Sequence, residues 1–496
     1  MPNLFAYAML FIWPLIMIVL FKRMTPDRAL IWSFLGAFMF LPSGVRIDLP
    51  MVPVLDKFSI PSLAALVLCL TMLEQRIRIL PASKVASIFM IGFMLSPFAA
   101  VLSNREPVIY GVVFMPGQSM QDAISAAMGY AITLIPFILA FNLLSTRQAR
   151  RNFLIAYMTA GLIYSIPMLL EIRLAPQFSY WVYGYFVELF GQQLRFGGYR
   201  PVVFMGHGLT VAFFLMITAL STAILWRVSQ SSTRTLYSYA AVYLLIVLVL
   251  CKTVGPLIFA ALFLPVILFT GQRIKSWAIM VCALFVLTYP VLRSADIIPT
   301  EELVGYAAMI QDERARSLDF RFNNEEMLLD HAARKPMFGW GFWDRNRLFD
   351  PESGRELVIT DGYWVIVIGI LGWTGYICIF GLLTLPLIKL WWQRNSMAIT
   401  GDIHLIYGTA LLLSINLLEL IPNSTINTMT WLLAGLLLAA SLQSETADDE
   451  EPATSHANNA GTPPLHIRKP RGERFDSNAP SAQFKRKRRD AGRGAR

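Results

Sequence analysis

Charge is scarce in this chain. Asp, Glu, Lys and Arg together make up 15% of its 496 residues, too little for a soluble protein of that length. Cysteine is scarce as well. Cys69, Cys251, Cys282 and Cys378 each fall in or at the edge of an apolar run, so no disulfide framework is implied. The five histidines, His207, His331, His404, His456 and His466, form no pair at ligand spacing. No metal and no other cofactor is therefore expected. The first apolar run, 4–21, has no basic region before it and no small-residue cleavage site after it, and reads as a retained helix. What is abundant is hydrophobic side chain, 56% of the chain, with a mean hydropathy of +0.54. These values fit a polytopic membrane protein. The net charge of +10 does not point to nucleic acid. The excess lies in short loops and in the last thirty or so residues, where anionic lipid headgroups account for it.

A spanning helix needs about 20 mostly apolar residues. Such runs fall at roughly 4–21, 28–44, 59–75, 85–103, 123–144, 152–172, 201–226, 237–252, 255–271, 277–293, 362–390, 403–421 and 428–441. Only Thr253 and Val254 separate the eighth from the ninth, which reads as a tight hairpin or as one broken helix. Every alternate loop is basic: Lys22, Arg23 and Arg28; Arg76, Arg78 and Lys84; Arg147, Arg150 and Arg151; Arg227 and Arg234; Arg273 and Lys275; Lys389 and Arg394. Lysine and arginine mark cytoplasmic loops. The N-terminus and residues 294–361 are then expected outside, and the C-terminus inside. The expected fold is an all-α, polytopic transmembrane bundle of about 13 spans with one large external loop that contains an amphipathic helix. Residues 1–293 hold spans one to ten, 294–361 the loop, 362–441 spans eleven to thirteen, and 442–496 a cytoplasmic tail. The tail starts acidic, ends in Lys485-Arg486-Lys487-Arg488-Arg489, and is nearly free of aromatic and β-branched residues. That composition predicts disorder, as a solvated tail or as an arm for lipid or partner docking.

The loop interrupts the rhythm of the chain. It carries 14 acidic and 8 basic residues, and a large polar excursion is where chemistry can sit. Its helical stretch places Leu318, Phe322, Met327, Leu328 and Ala332 near one face, with Arg321 and Glu325 spaced as i,i+4 partners. Lys335-Pro336 stops that helix and Gly339-Trp340-Gly341 makes a turn. Two more arginines, Arg195 and Arg200, precede the run that begins at Pro201, with Gly197 and Gly198 permitting a close turn between them. Guanidinium forks suit anionic oxygens, so Arg195, Arg200 and Arg321 are candidate phosphate ligands. The alternatives are interfacial snorkelling for Arg195 and Arg200 and a structural ion pair for Arg321. Asp361 heads the apolar run 362–390. It either caps that helix or acts as a base at the interface. Lys252, at a helix end facing the same side, and His207 are further candidates.

Taken together these pieces resemble the superfamily of O-antigen ligases and polymerases. Arg195 with Gly198 matches its arginine before a glycine-containing turn and a span. Arg321, Pro336, Gly339 and Gly341 match, in order, the loop arginine, the proline and the Gly-x-Gly turn. Gly372 and Gly375 match a closing pair of glycines three apart. Where the family pattern has His-Asn, this chain has Asp361-Gly362. The resemblance spans residues 190–390. It implies a metal-independent membrane glycosyltransferase acting on a lipid-diphosphate-linked glycan donor and a glycan acceptor, among membrane lipids and other polysaccharide assembly proteins. Arginines would hold the diphosphate and Asp361 would be the base. A flippase for the same lipid-linked sugars, or a non-catalytic subunit of an export system, is the rival expectation. A flippase calls for charges inside several spans near the midplane, and this chain gathers charge at the expected outer edge.

Overall fold

The computed structural model describes residues 1–450 apart from 49–52, 74–75, 187–189, 196, 311 and 396–402. The described residues form sixteen α-helices: α1 (Leu4–Arg23), α2 (Pro26–Phe40), α3 (Ser59–Met72), α4 (Lys84–Leu102), α5 (Met120–Leu143), α6 (Arg147–Leu174), α7 (Phe178–Tyr183), α8 (Gly208–Val228), α9 (Ser231–Leu250), α10 (Val254–Phe269), α11 (Gln272–Ser294), α12 (Thr300–Ile310), α13 (Asp312–Ala333), α14 (Tyr363–Trp392), α15 (Ile403–Glu419) and α16 (Thr428–Glu450). Sheet is confined to two small antiparallel hairpins, β1 (Val108–Tyr110) with β2 (Val113–Met115) and β3 (Leu194–Arg195) with β4 (Gly198–Tyr199). Each of the thirteen apolar runs contains one helix. By length and composition α1, α4, α5, α6, α8, α9, α11 and α14 can cross a membrane, while α3, α10, α15 and the apolar part of α16 are shorter. The protein is an all-helical, multi-pass membrane protein.

A helix that is apolar all round belongs inside a bundle. α8 is such a helix. Its residues from Val211 to Leu225 are buried throughout, and it packs against α6, α9, α10 and α15. α14 forms the second spine, packed on α4, α11, α13 and α15. α9 and α10 are two separate helices, each seated on α8, joined through Lys252 in a left-handed conformation at φ 54°.

Three features differ from the sequence expectation. First, the run that begins at Pro201 is not helical until Gly208. The buried carboxylate of Glu171 captures this segment. Its Oε2 accepts the backbone N–H groups of Val202 and Val203 at 2.7 and 2.8 Å, and its Oε1 those of Gln177 and Phe178 at 3.0 and 2.9 Å. N–H groups bound to a carboxylate are withdrawn from any helix. Second, the loop holds two helices, α12 and α13, and Met327 is exposed on the latter. α13 buries Ala315, Asn324, Glu325, Leu328, His331 and Ala332, and packs on α14. Third, α16 runs on to Glu450, through Ser444-Glu445-Thr446-Ala447, past the 441 boundary expected for the last span. The remainder of the predicted tail, 451–496, lies outside the described residues.

α14 is broken at Gly372, whose φ of 64° and ψ of −166° suit glycine alone. A break frees backbone groups that hydrocarbon cannot satisfy, so protein must cover them. Residues 336–341 do this. Trp340 N donates to Gly369 O at 2.8 Å and Gly341 N to Ile370 O at 2.9 Å, while Trp373 N and Thr374 N donate to Pro336 O and Met337 O. The fit is close: a Cβ on Gly372 would lie 2.4 Å from the Met337 carbonyl carbon, and one on Gly339 2.5 Å from that of Ile370. The Gly-x-Gly turn and the Gly372 position are thus two halves of one joint. It is bolted further by Asn104, whose Nδ2 reaches Gly339 O at 2.9 Å, and by buried Arg345, which donates to Pro116 O and Glu106 O. Gly372→Ala is expected to cost about 3 kcal/mol, from forbidden backbone conformation and collision together. A thermal melt of the protein in detergent checks it, and an unchanged midpoint contradicts the account.

Candidate functional site

The polar residues singled out from sequence meet at the end of the bundle that carries the 294–361 segment. The 193–200 stretch builds one side. Arg195 pairs in register with Gly198 across the β3–β4 turn, where Gly197 has φ 67°. Gly198 is needed for space: a Cβ there would sit 2.0 Å from Lys252 Nζ. Lys252, from the α9–α10 turn, therefore lies directly over the hairpin. Arg200 is buried. Its backbone N donates to Gln193 O at 2.9 Å and its Nε to Thr253 Oγ1 at 3.2 Å. Gln193 and Thr253, neither of which was marked by sequence pattern, fix the arginine in place.

His207 is the N-cap of α8 and accepts the Leu209 N–H on Nδ1 at 2.9 Å. Burial holds its imidazole down to a pKa of about 4, and the charges of Arg200, Arg195 and Arg321 push in the same direction. His207 is therefore neutral near pH 7, which lets Nδ1 accept. It also lies within electrostatic reach of all three arginines, although Arg195 and Arg321 stand 126 positions apart in the chain. The two stretches of sequence supply cations to one locus.

The other side is built by α13, α14 and α15. Arg321 Nε lies 3.4 Å from Asp361 Oδ2, with both side chains more than one-third exposed. Asp361 does not cap α14: the N-cap is Gly362, with no side-chain hydrogen bond at that end. The expected Arg321–Glu325 pair is also corrected. Glu325 turns inward to Arg293 Nε at 3.9 Å and accepts a hydrogen bond from the Tyr289 hydroxyl at 3.3 Å. Burial raises its carboxyl to about 7, against the opposing pull of Arg293, Tyr289 and Arg321. Glu419, buried at the end of α15, accepts from Asn423 Nδ2 at 2.8 Å and also lies within reach of the Arg321 charge. One arginine thus faces three carboxylates, of which only Asp361 is a marked candidate from sequence. An acid near the end of an apolar run was the available signal for Glu419, whereas Glu325, in the polar helix α13, carried none.

The site is therefore bipolar. Arg195 and Arg200 lie within electrostatic reach of His207, Lys252 lies over the hairpin that carries Arg195, and Arg321 links this cationic side to Asp361, Glu325 and Glu419. Such an arrangement can hold an anion on one side and accept a proton on the other. No protein-family model matches the chain, and no curated protein matches it.

Proposed function

We propose that the protein is a glycosyltransferase of extracellular polysaccharide assembly in the bacterial inner membrane, polymerising or ligating undecaprenyl-diphosphate-linked glycans at the external face. The observation that carries this reading is the convergence of Arg195, Arg200 and Arg321 around His207, with Asp361 on Arg321. A diphosphate offers several anionic oxygens, and forked donors from separate segments match them. In the reaction an acceptor hydroxyl oxygen bonds to the anomeric carbon of the donor. The bond from that carbon to the diphosphate oxygen breaks, and the electron pair leaves with the diphosphate. The arginines stabilise the charge that develops there. The acceptor proton passes to a carboxylate, for which Asp361 is the exposed choice.

In this reading all thirteen apolar helices cross the membrane, the N-terminus and the bipolar site are external, and the C-terminus is cytoplasmic. Donors of this class present their diphosphate at one membrane face, so sidedness is a direct test. A reporter fused after Arg345 is expected to read as external and one fused after Ser455 as cytoplasmic. Both reporters on one side would defeat the assignment.

A further inference from the structure

A cavity of about 450 Å³ lies apart from the arginines, between α3, α4, α5, the start of α14 and the start of α16. Its lining is of a distinct chemistry. Half of its eighteen lining residues bear hydroxyl, amide or carboxylate side chains, and none is lysine, arginine or histidine. One wall is aromatic: the Tyr130 and Phe93 rings stack at 4.4 Å, and Phe93 lies nearly parallel to Trp431 at 6.0 Å. Tyr130 and Tyr363 lie within electrostatic reach of one another, and neither phenol has a hydrogen-bond partner among the described residues. Neither phenol oxygen is fully buried, so both stand open to whatever fills the cavity.

We propose that this cavity receives the neutral, hydroxyl-rich end of the acceptor glycan, with sugar faces laid on the Tyr130–Phe93–Trp431 wall and sugar hydroxyls bonded to the Tyr130 and Tyr363 phenols. This assignment rests on the glycosyl-transfer reading above. The lack of a cation in the lining argues against a phosphate. A hydrocarbon tail would leave both phenols unsatisfied, at a cost that a polyhydroxyl ligand avoids. Position agrees with an acceptor role. The entry to α14 separates the two, with Asp361, before the helix, paired to Arg321 and Tyr363, its first residue, on the cavity wall.

Gly129 gives the test. It lines the cavity, and a Cβ built on it meets nothing within 4 Å, so a large side chain enters open space. In cells whose surface glycan depends on the full-length protein, Gly129→Phe is expected to lower glycan product at least about 10-fold at unchanged membrane abundance. Tyr130→Phe and Tyr363→Phe are each expected to lower it about 5-fold when acceptor is limiting, the loss of one modest hydrogen bond. Gly305→Phe, at an equally open glycine on α12, is expected to leave product unchanged. Wild-type product from Gly129→Phe, in cells where Arg321→Lys has lost it, overturns the cavity assignment and leaves glycosyl transfer standing. Product retained by Arg321→Lys counts against the transfer reading, and so against the acceptor assignment that rests on it. Photoreactive farnesol is the second probe. Its incorporation into residues 123–136, blocked by Gly129→Phe, would assign the cavity to a lipid tail and overturn the proposal.

Discussion

Arg321→Lys is expected to lower glycan product about 100-fold or more while the protein reaches the membrane in normal amount. The size follows from removing one preorganised donor to a developing negative charge, which typically costs about 100- to 1,000-fold. Lysine keeps the charge but offers a point cation in place of a planar fork. Arg321 is well suited to the experiment because it is more than one-third exposed and its ion pair is with the similarly exposed Asp361. Exposed pairs of this kind contribute about 0–1 kcal/mol to stability, so folding should survive. Arg195→Lys, on the exposed β3 strand, is expected to behave in the same way. Arg200→Lys is the weaker probe, because Arg200 is buried against Thr253 and its loss will also loosen the hairpin. An arginine that merely reaches for lipid headgroups tolerates lysine. Near-normal product from both Arg321→Lys and Arg195→Lys would therefore reduce these residues to interfacial anchors.

The parts of this architecture that were legible in sequence are those set by local composition. Apolar runs became helices because hydrocarbon forces backbone groups to pair within the segment. Gly197 was legible as a turn position because its φ of 67° is one that glycine adopts readily. Partnership across the fold was not legible. The i,i+4 spacing of Arg321 and Glu325 is a helix property, yet Glu325 meets Arg293 and Tyr289, two side chains supplied by α11. Periodicity tells which face is buried and is silent on what covers it. The same limit hid the joint between Gly339 and Gly372. Each glycine stood out alone, but only the fold shows that the turn of one satisfies the break at the other. The helix start at Gly208 moved for a third reason: the competing partner, Glu171, lies about 30 residues upstream of the segment it captures.

Asp361→Asn is expected to lower product by about 100- to 10,000-fold, the range typical of losing a general base, again without loss of protein from the membrane. The fold sharpens this experiment. Asp361 is not the cap of α14, since Gly362 holds that position and no side chain bonds there. The substitution therefore removes basicity and the charge facing Arg321, and leaves the helix end intact. If the carboxylate served only to orient Arg321 through an exposed pair at 3.4 Å, the loss would be limited to a few-fold, in line with the small worth of such pairs. The magnitude of the fall thus separates the two roles. Glu325→Gln is the informative companion. Glu325 is buried beside Arg293 and Tyr289, and its carboxyl is raised to about 7. If proton transfer runs through Glu325 instead, Glu325→Gln will produce the large loss and Asp361→Asn the small one. The wild-type rate will then climb as pH rises through about 7, where that carboxyl ionises. A large loss from Asp361→Asn, with Glu325→Gln retaining most product, assigns the base to the one carboxylate that stands exposed on the arginine side of the site. Normal product from Asp361→Asn, Glu325→Gln and Glu419→Gln alike would remove the carboxylates from the chemistry and leave the arginine-held diphosphate, activated by charge stabilisation alone, as the reacting unit.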